Sequence, residues 1–209
     1  MGHKRVVHVI DDEPDVCDAL KVLLDTAGLE ARTYASAEDF LSEVRLSRPI
    51  CLLVDVRLPG MSGLELVRQL QQGPVRPVVV MITGHGDVPL AVKAMRAGAL
   101  HFLEKPFEPA ELLQTLDEAL QRVSQMAAEE ETSAAIEASH RSLTPREQEV
   151  MALLAEGMPT KLLATKLGIS TRTAEHHRAA VLKKMGARTV SHLARMSVSL
   201  QARNSPIRA

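Results

Sequence analysis

The chain has 209 residues, comfortable for two domains and long for one, and is 45% hydrophobic, so a sizeable core is available. It is only 2% aromatic and has no Trp, which argues against ring stacking on bases or sugars as the main binding mode. The net charge of -1 hides a split: residues 1–139 carry 13 Lys and Arg against 22 Asp and Glu, a balance of -9, and residues 140–209 carry 12 against 4, or +8. An acidic body joined to a basic end suggests a control module attached to a polyanion binder, without saying which polyanion. Cys17 and Cys51 fall in apolar periodic segments with no CxxC, as expected of buried free thiols in a reducing cytoplasm. No apolar run reaches the length of a membrane span, so neither a signal peptide nor a transmembrane helix is expected.

Residues 5–10 form a first strand candidate that runs into Asp11, Asp12 and Glu13. Three acids at a strand end repel one another unless a positive group sits there. Pro14 suits the first turn of a helix, which Val16, Ala19, Leu20, Leu23 and Leu24 carry at helical spacing until Gly28. Residues 30–34 are a short second strand, and Ser36 with Asp39 resembles a capping box for a helix reaching about Leu46. Ile50 to Asp55 is an apolar run ended by a carboxylate and then broken by Pro59-Gly60, which reads as a strand buried on both faces. Ser62 begins the next helix, and Pro77 to Ile82 is a fourth buried strand ending in Thr83. A helix over 88–97, a strand over 100–103 and a helix opened by Pro109 complete five βα units. The expected fold is α/β: a five-stranded, doubly wound parallel sheet with helices on both faces and right-handed crossovers.

The last helix has no Gly or Pro through Ile136, so a helical connector to about Ala135 is expected, with a frayed, solvated linker as the competing view. From Leu143 the chain is all helical: Thr144, Pro145 and Glu147 give cap, first position and capping-box acid. Helices follow over 160–167, stopped by Gly168, then from Ser170 to about Met185, and over 190–198. The polar end beyond reads as frayed.

In an open parallel sheet, ligands bind outside the carboxyl ends of the strands. That edge gathers Asp11, Asp12, Asp55, Thr83 and Lys105. Asp55 alone could simply cap the turn that follows it. Converging carboxylates, however, need a cation, and all-oxygen ligation without His or Cys points to Mg²⁺. Thr83 and Lys105 add a hydroxyl and an ammonium for phosphoryl oxygens, and a carboxylate so placed can carry an aspartyl phosphate.

With their flanks (Leu58-Pro59-Gly60, Gly84, Pro106), these residues resemble the receiver domain of two-component response regulators over roughly 4–122. The resemblance implies a flavodoxin-like fold with Asp55 as phospho-acceptor. It implies Mg²⁺ held directly by Asp12 and Asp55 with the Arg57 carbonyl, Asp11 acting through water, and a cis Lys105–Pro106 bond. Phe102 matches the switch aromatic that moves with Thr83, or is a plain core aromatic. Residues 143–199 resemble the LuxR-type helix-turn-helix of the NarL/FixJ family, and residues 84–95 are close to FixJ-like members. By that resemblance Glu175, His176 and Ala179 face bases, and Arg172, Arg178 and Lys183 meet phosphates. Thr160 and Lys161 touch the backbone from the preceding helix. His176 departs from the small apolar residue usual there, and His177 suits packing or a phosphate contact.

The implied organisation is a receiver domain over 1–122, a helical linker over 123–140, a helix-turn-helix domain over 141–200 and a disordered tail over 201–209. The implied function is a cytoplasmic, phosphorylation-controlled transcription regulator. Its partners are a sensor histidine kinase, double-stranded DNA, and a second copy met through helix 88–97 and strand 100–103 once phosphorylated. RNA polymerase is a further candidate partner; no membrane is. Two other readings stay open. A Mg²⁺-dependent phosphohydrolase would want a second Asp two residues beyond its nucleophile, where this chain has Arg57, leaving at most slow autodephosphorylation. The basic end could instead be an RNA or protein adaptor, although its spacing and charge favour duplex DNA.

Overall fold

The computed structural model describes residues 5–84, 86 and 88–204, with the backbone alone for 202–204. Strands β1 (Val6–Ile10), β2 (Glu30–Tyr34), β3 (Cys51–Asp55), β4 (Val78–Thr83) and β5 (His101–Glu104) alternate with five helices. These are α1 (Pro14–Thr26), α2 (Ala37–Glu43), α3 (Gly63–Gln71), α4 (Val88–Ala97) and α5 (Pro109–Arg141). All strand pairs are parallel, in the order β2-β1-β3-β4-β5, so the doubly wound sheet expected from sequence is present. Every residue of β3 and β4 is buried because helices cover both faces. Alternation splits the core in two. Val7, Val9, Leu53 and Val80 pack with Leu20, Leu24, Leu112 and Leu116; Ile10, Leu52, Val54 and Met81 pack with Phe40, Leu66, Val67 and Ala94.

Two boundaries in the sheet unit differ from the sequence reading. Helix α2 ends at Glu43 rather than near Leu46, because Val44 is already extended at φ -110° and ψ 116°, and the chain heads for Arg48-Pro49, where helix is disfavoured. Strand β5 covers 101–104, not 100–103: the ladder begins at Val80 opposite His101 and brings Glu104 opposite Thr83. Helix α2 also anchors the loop after β3, since the Glu38 carboxylate accepts from the Met61 N–H at 2.9 Å. At that loop's far end Gly63 opens α3 against the carbonyl oxygen of Asp55, so closely that a Cβ there would overlap it.

Two compact units divide between Ala127 and Ala128. The stretch read as a connector, 123–140, is helical, and its apolar residues are shared out. Val123 and Met126 pack against the sheet core, and Ile136 against the helical core. That second unit adds α6 (Pro145–Ala155), α7 (Thr160–Leu167), α8 (Thr171–Met185) and α9 (Val190–Asn204). Thr144 and Glu147 form the expected capping box, and Ser170 caps α8 by accepting from the Thr173 N–H. Between α7 and α8 the chain turns at Gly168, whose φ of 65° is left-handed. The tail expected to be disordered over 201–209 is corrected in its first four residues: α9 runs through Asn204. Nothing in 199–204 breaks a helix, and the first breaker is Pro206. Residues 205–209 lie outside the described residues.

Among the described residues, two polar side chains are buried in the sheet unit away from the strand ends, Thr115 of α5 and His8. His8 of β1, 6% exposed, places its Nδ1 2.9 Å from the Tyr34 hydroxyl, with Phe40 edge-on to both rings. Burial, reinforced by the Arg32 charge, pushes its pKa down to about 4, so the ring is neutral at pH 7.

Alanine at Gly63 should cost toward the upper end of about 1–3 kcal/mol by overpacking, whereas alanine at Gly168 meets open space and should cost only about 1–2 kcal/mol of left-handed strain; denaturant unfolding of each variant measures both. His8 favours the folded state only while neutral. Stability should therefore be full above pH 6.5 and fall as pH drops toward about 4, by roughly 3 kcal/mol at 1.4 kcal/mol per pKa unit. His8→Phe should flatten that slope.

Candidate phosphoryl and nucleic-acid sites

Parallel pairing brings the ends of β1, β3, β4 and β5 to one edge, and the side chains there are mostly buried. Asp11 is 1% exposed, Asp55 5% and Thr83 fully buried. Lys105, the residue after β5, places its Nζ 2.6 Å from Asp55 Oδ2, 2.7 Å from Asp11 Oδ2 and 3.3 Å from Glu13 Oε1. Its backbone N–H donates to the Thr83 carbonyl at 2.7 Å, and the Lys105–Pro106 bond is cis, as expected. The other oxygens are also engaged: Asp55 Oδ1 accepts from the Arg57 N–H at 2.7 Å, and Asp11 Oδ1 from the Glu13 N–H at 3.0 Å.

Burial pushes the Asp11 carboxyl above its ordinary pKa, against the pull of the Lys105 ammonium and the Glu13 N–H. Burial also works against the charge on Lys105, but its hydrogen bonds and ion pairs with Asp11 and Asp55 outweigh that, and its pKa is raised. The lysine is therefore charged throughout the physiological range.

The acids do not fall as the sequence suggested. Carboxylate oxygens of Asp11, Glu13 and Asp55 lie within 4.8 Å of one another, whereas Asp12 is exposed and outside that group. Glu13 was missed as a site residue; the only sequence signal was its place in a run of three acids before Pro14. Gly63 was missed too, because its fit against Asp55 is a tertiary contact. Three carboxylates against one ammonium leave an excess of negative charge, and hard oxygen donors so spaced suit a divalent cation such as Mg²⁺. Phe102 is half-buried in β5 and packs with the core that holds Met81, Ala94 and Ala97.

In the helical unit, α8 buries Ala174, Val181 and Met185 and exposes Arg172, Glu175, His176, Ala179 and Lys183. Those five recur at helical spacing, so they share one outward face, polar but for Ala179. Arg178 and His177 are half-buried at its margin, and Arg178 Nε is buried without a hydrogen-bond partner. Lys161 is exposed and Thr160 half-buried in the first turn of α7. Among the described residues no helix is long and apolar enough to cross a membrane.

Known proteins share both halves. Residues 7–117 match the response regulator receiver domain, and residues 141–197 match the bacterial regulatory proteins of the luxR family. The C4-dicarboxylate transport transcriptional regulatory protein DctR of Rhodobacter capsulatus is 44% identical over 91% of this chain and 98% of its own. The transcriptional regulatory protein FixJ of Azorhizobium caulinodans is 42% identical over 95% and 94%. Among solved structures, the response regulator StyR superposes with a TM-score of 0.82 at 39% identity, over 94% of this chain and 99% of that one. Full-length FixJ from B. japonicum gives 0.56 at 40% identity, over 96% and 99%. The chain therefore belongs to the two-component response regulators that join a receiver domain to a LuxR-type DNA-binding domain, and it is a transcription regulator rather than a classical enzyme.

Proposed function

We propose that Asp55 accepts a phosphoryl group from a phosphohistidine of a sensor kinase and that the modified protein binds duplex DNA through α8. The observation that carries this is the Asp55 carboxylate, 5% exposed and 2.6 Å from the Lys105 ammonium, among two further carboxylates. An Asp55 oxygen attacks phosphorus, the P–N bond to the kinase imidazole breaks, and an acyl phosphate forms. Lys105 then meets one phosphoryl oxygen and the Thr83 hydroxyl another, with Phe102 following Thr83 as the switch aromatic.

Mg²⁺, when bound, supplies positive charge for the phosphoryl oxygens. Asp55, Asp11 and the Arg57 carbonyl would hold it. Glu13 is the further carboxylate already turned toward them, a part the family pattern gives to Asp12. Arg57, two residues after the acceptor, is no general acid for hydrolysis, so autodephosphorylation is slow.

Dimerisation through α4 and β5 is supported by Val88, Val92 and Met95, which are 78%, 44% and 49% exposed on one face of α4. In the DNA-bound state Glu175, His176 and Ala179 meet base edges. Arg172, Arg178, Lys183, Thr160 and Lys161 meet the phosphate backbone, and α8 enters the major groove. The regulator acts in the cytoplasm, where the kinase, DNA and RNA polymerase are its partners.

Acetyl phosphate with Mg²⁺ should add the mass of one phosphoryl group to the wild-type chain and none to Asp55→Asn, by intact mass spectrometry. An unmodified wild type would defeat the proposal. On DNA, Lys183→Ala should make the slope of log affinity against log salt shallower by about 0.9 per protomer, measured by fluorescence anisotropy across a salt series.

A further inference from the structure

The first turn of α6 holds the chain just before α8 and again at the last turn of α8. Arg146 Nη2 donates to the Leu167 carbonyl at 2.6 Å, three residues before the Ser170 cap, while its Nη1 pairs with Glu149 at 2.6 Å. The next residue, Glu147, is 6% exposed, and its Oε2 accepts from the Thr144 N–H at 2.7 Å and from Lys184 Nζ at 2.6 Å. Lys184 stands in the last turn of α8.

The capping box alone does not need a charge at position 147. A Gln side chain can also receive the Thr144 N–H, and Gln serves at that position in such boxes. A carboxylate is needed only for the ammonium of Lys184. That ion pair adds little stability, because the lysine side chain is 38% exposed. It does tie the last turn of α8 to the first turn of α6. Arg172, Glu175, His176, Ala179 and Lys183 share one outward face, so a small roll of the helix moves all of them together, and hydrogen bonds to base edges fail steeply with angle.

We infer that Glu147 is a positioning residue for sequence reading, acting through Lys184, and that Lys184 is thereby withheld from the phosphate backbone that Lys183 meets. This rests on α8 being the helix that enters the groove.

The probe is a duplex selected from a randomised library by the wild-type full chain treated with acetyl phosphate and Mg²⁺, compared with a scrambled duplex of equal length; every variant is treated in the same way. Glu147→Gln and Lys184→Gln should each weaken the selected duplex by about tenfold, the order of one mismatched base pair. Binding to the scrambled duplex, the salt slope and the melting temperature should stay nearly unchanged. Lys184→Arg, which keeps the ion pair, should bind like wild type. Equal weakening on both duplexes, no weakening at all, or a Lys184→Gln salt slope shallower by about 0.9 would overturn the inference, the last by making Lys184 a phosphate contact. Should Glu147→Gln fail to fold, Lys184→Gln at its half-exposed position decides alone. A wild-type chain that selects no sequence sinks the reading of α8, and the inference with it.

Discussion

Three carboxylates share one ammonium at the carboxyl edge of the sheet, and the rest of the receiver is arranged around that imbalance. Lys105 reaches Asp11, Asp55 and Glu13 at once, which neutralises one charge of three. In water such a cluster would disperse. Here β3 is buried along its length between β1 and β4, and Gly63 closes against the Asp55 carbonyl, so the Asp55 carboxylate has nowhere to retreat. The upward push on the Asp11 carboxyl records the cost of holding it dry. Such a site is short of positive charge, which is the condition under which a divalent cation and the backbone of a phosphoryl-binding loop become useful.

The repeat of strand and helix was legible because its signals are local. Apolar runs of five or six residues end in Asp55 and Thr83, and breakers such as Pro59-Gly60 and Gly73-Pro74 sit between elements. Parallel pairing then carries residues far apart in sequence to one edge, so Asp11, Asp55, Thr83 and Lys105 could be grouped before any coordinates. The choice between Asp12 and Glu13 was not legible. Consecutive acids at a strand end differ only in which way the backbone turns into α1, and the Glu13 N–H bond back to Asp11 Oδ1 is part of that turn. The one-residue shift of β5 and the early end of α2 have a similar origin: pairing with β4 and the approach to Pro49 outweigh hydrophobic pattern.

The helical unit shows how one motif carries two meanings. Thr144, Pro145 and Glu147 read from sequence as the opening of a helix, and that reading is right as far as it goes. The second partner of Glu147 lies 37 residues away on α8, beyond any local pattern. Its carboxyl is held down to about pKa 2 by the Lys184 ammonium first and the Thr144 N–H next, so it is charged wherever the protein works. A cap and a tertiary strut thus coincide in one side chain, and substitutions there have to be read for which of the two they remove.

Charge distribution finally constrains how the two halves cooperate in the proposed DNA-bound state. The whole chain is nearly neutral, so long-range attraction to DNA is weak and the local +8 of residues 140–209 has to do the work within a screening length of about 8 Å at physiological salt. With few aromatic side chains, the protein has little stacking to add to phosphate contacts and the few base contacts of one α8. A single basic domain of this kind is a modest binder. Joining two of them turns the second encounter into an intramolecular one, which multiplies occupancy without any new contact to DNA. On the proposed function, the economical place to exert control is the apolar face of Val88, Val92 and Met95, far in sequence from α8, where a phosphoryl-driven change would need only to decide whether two copies stay together.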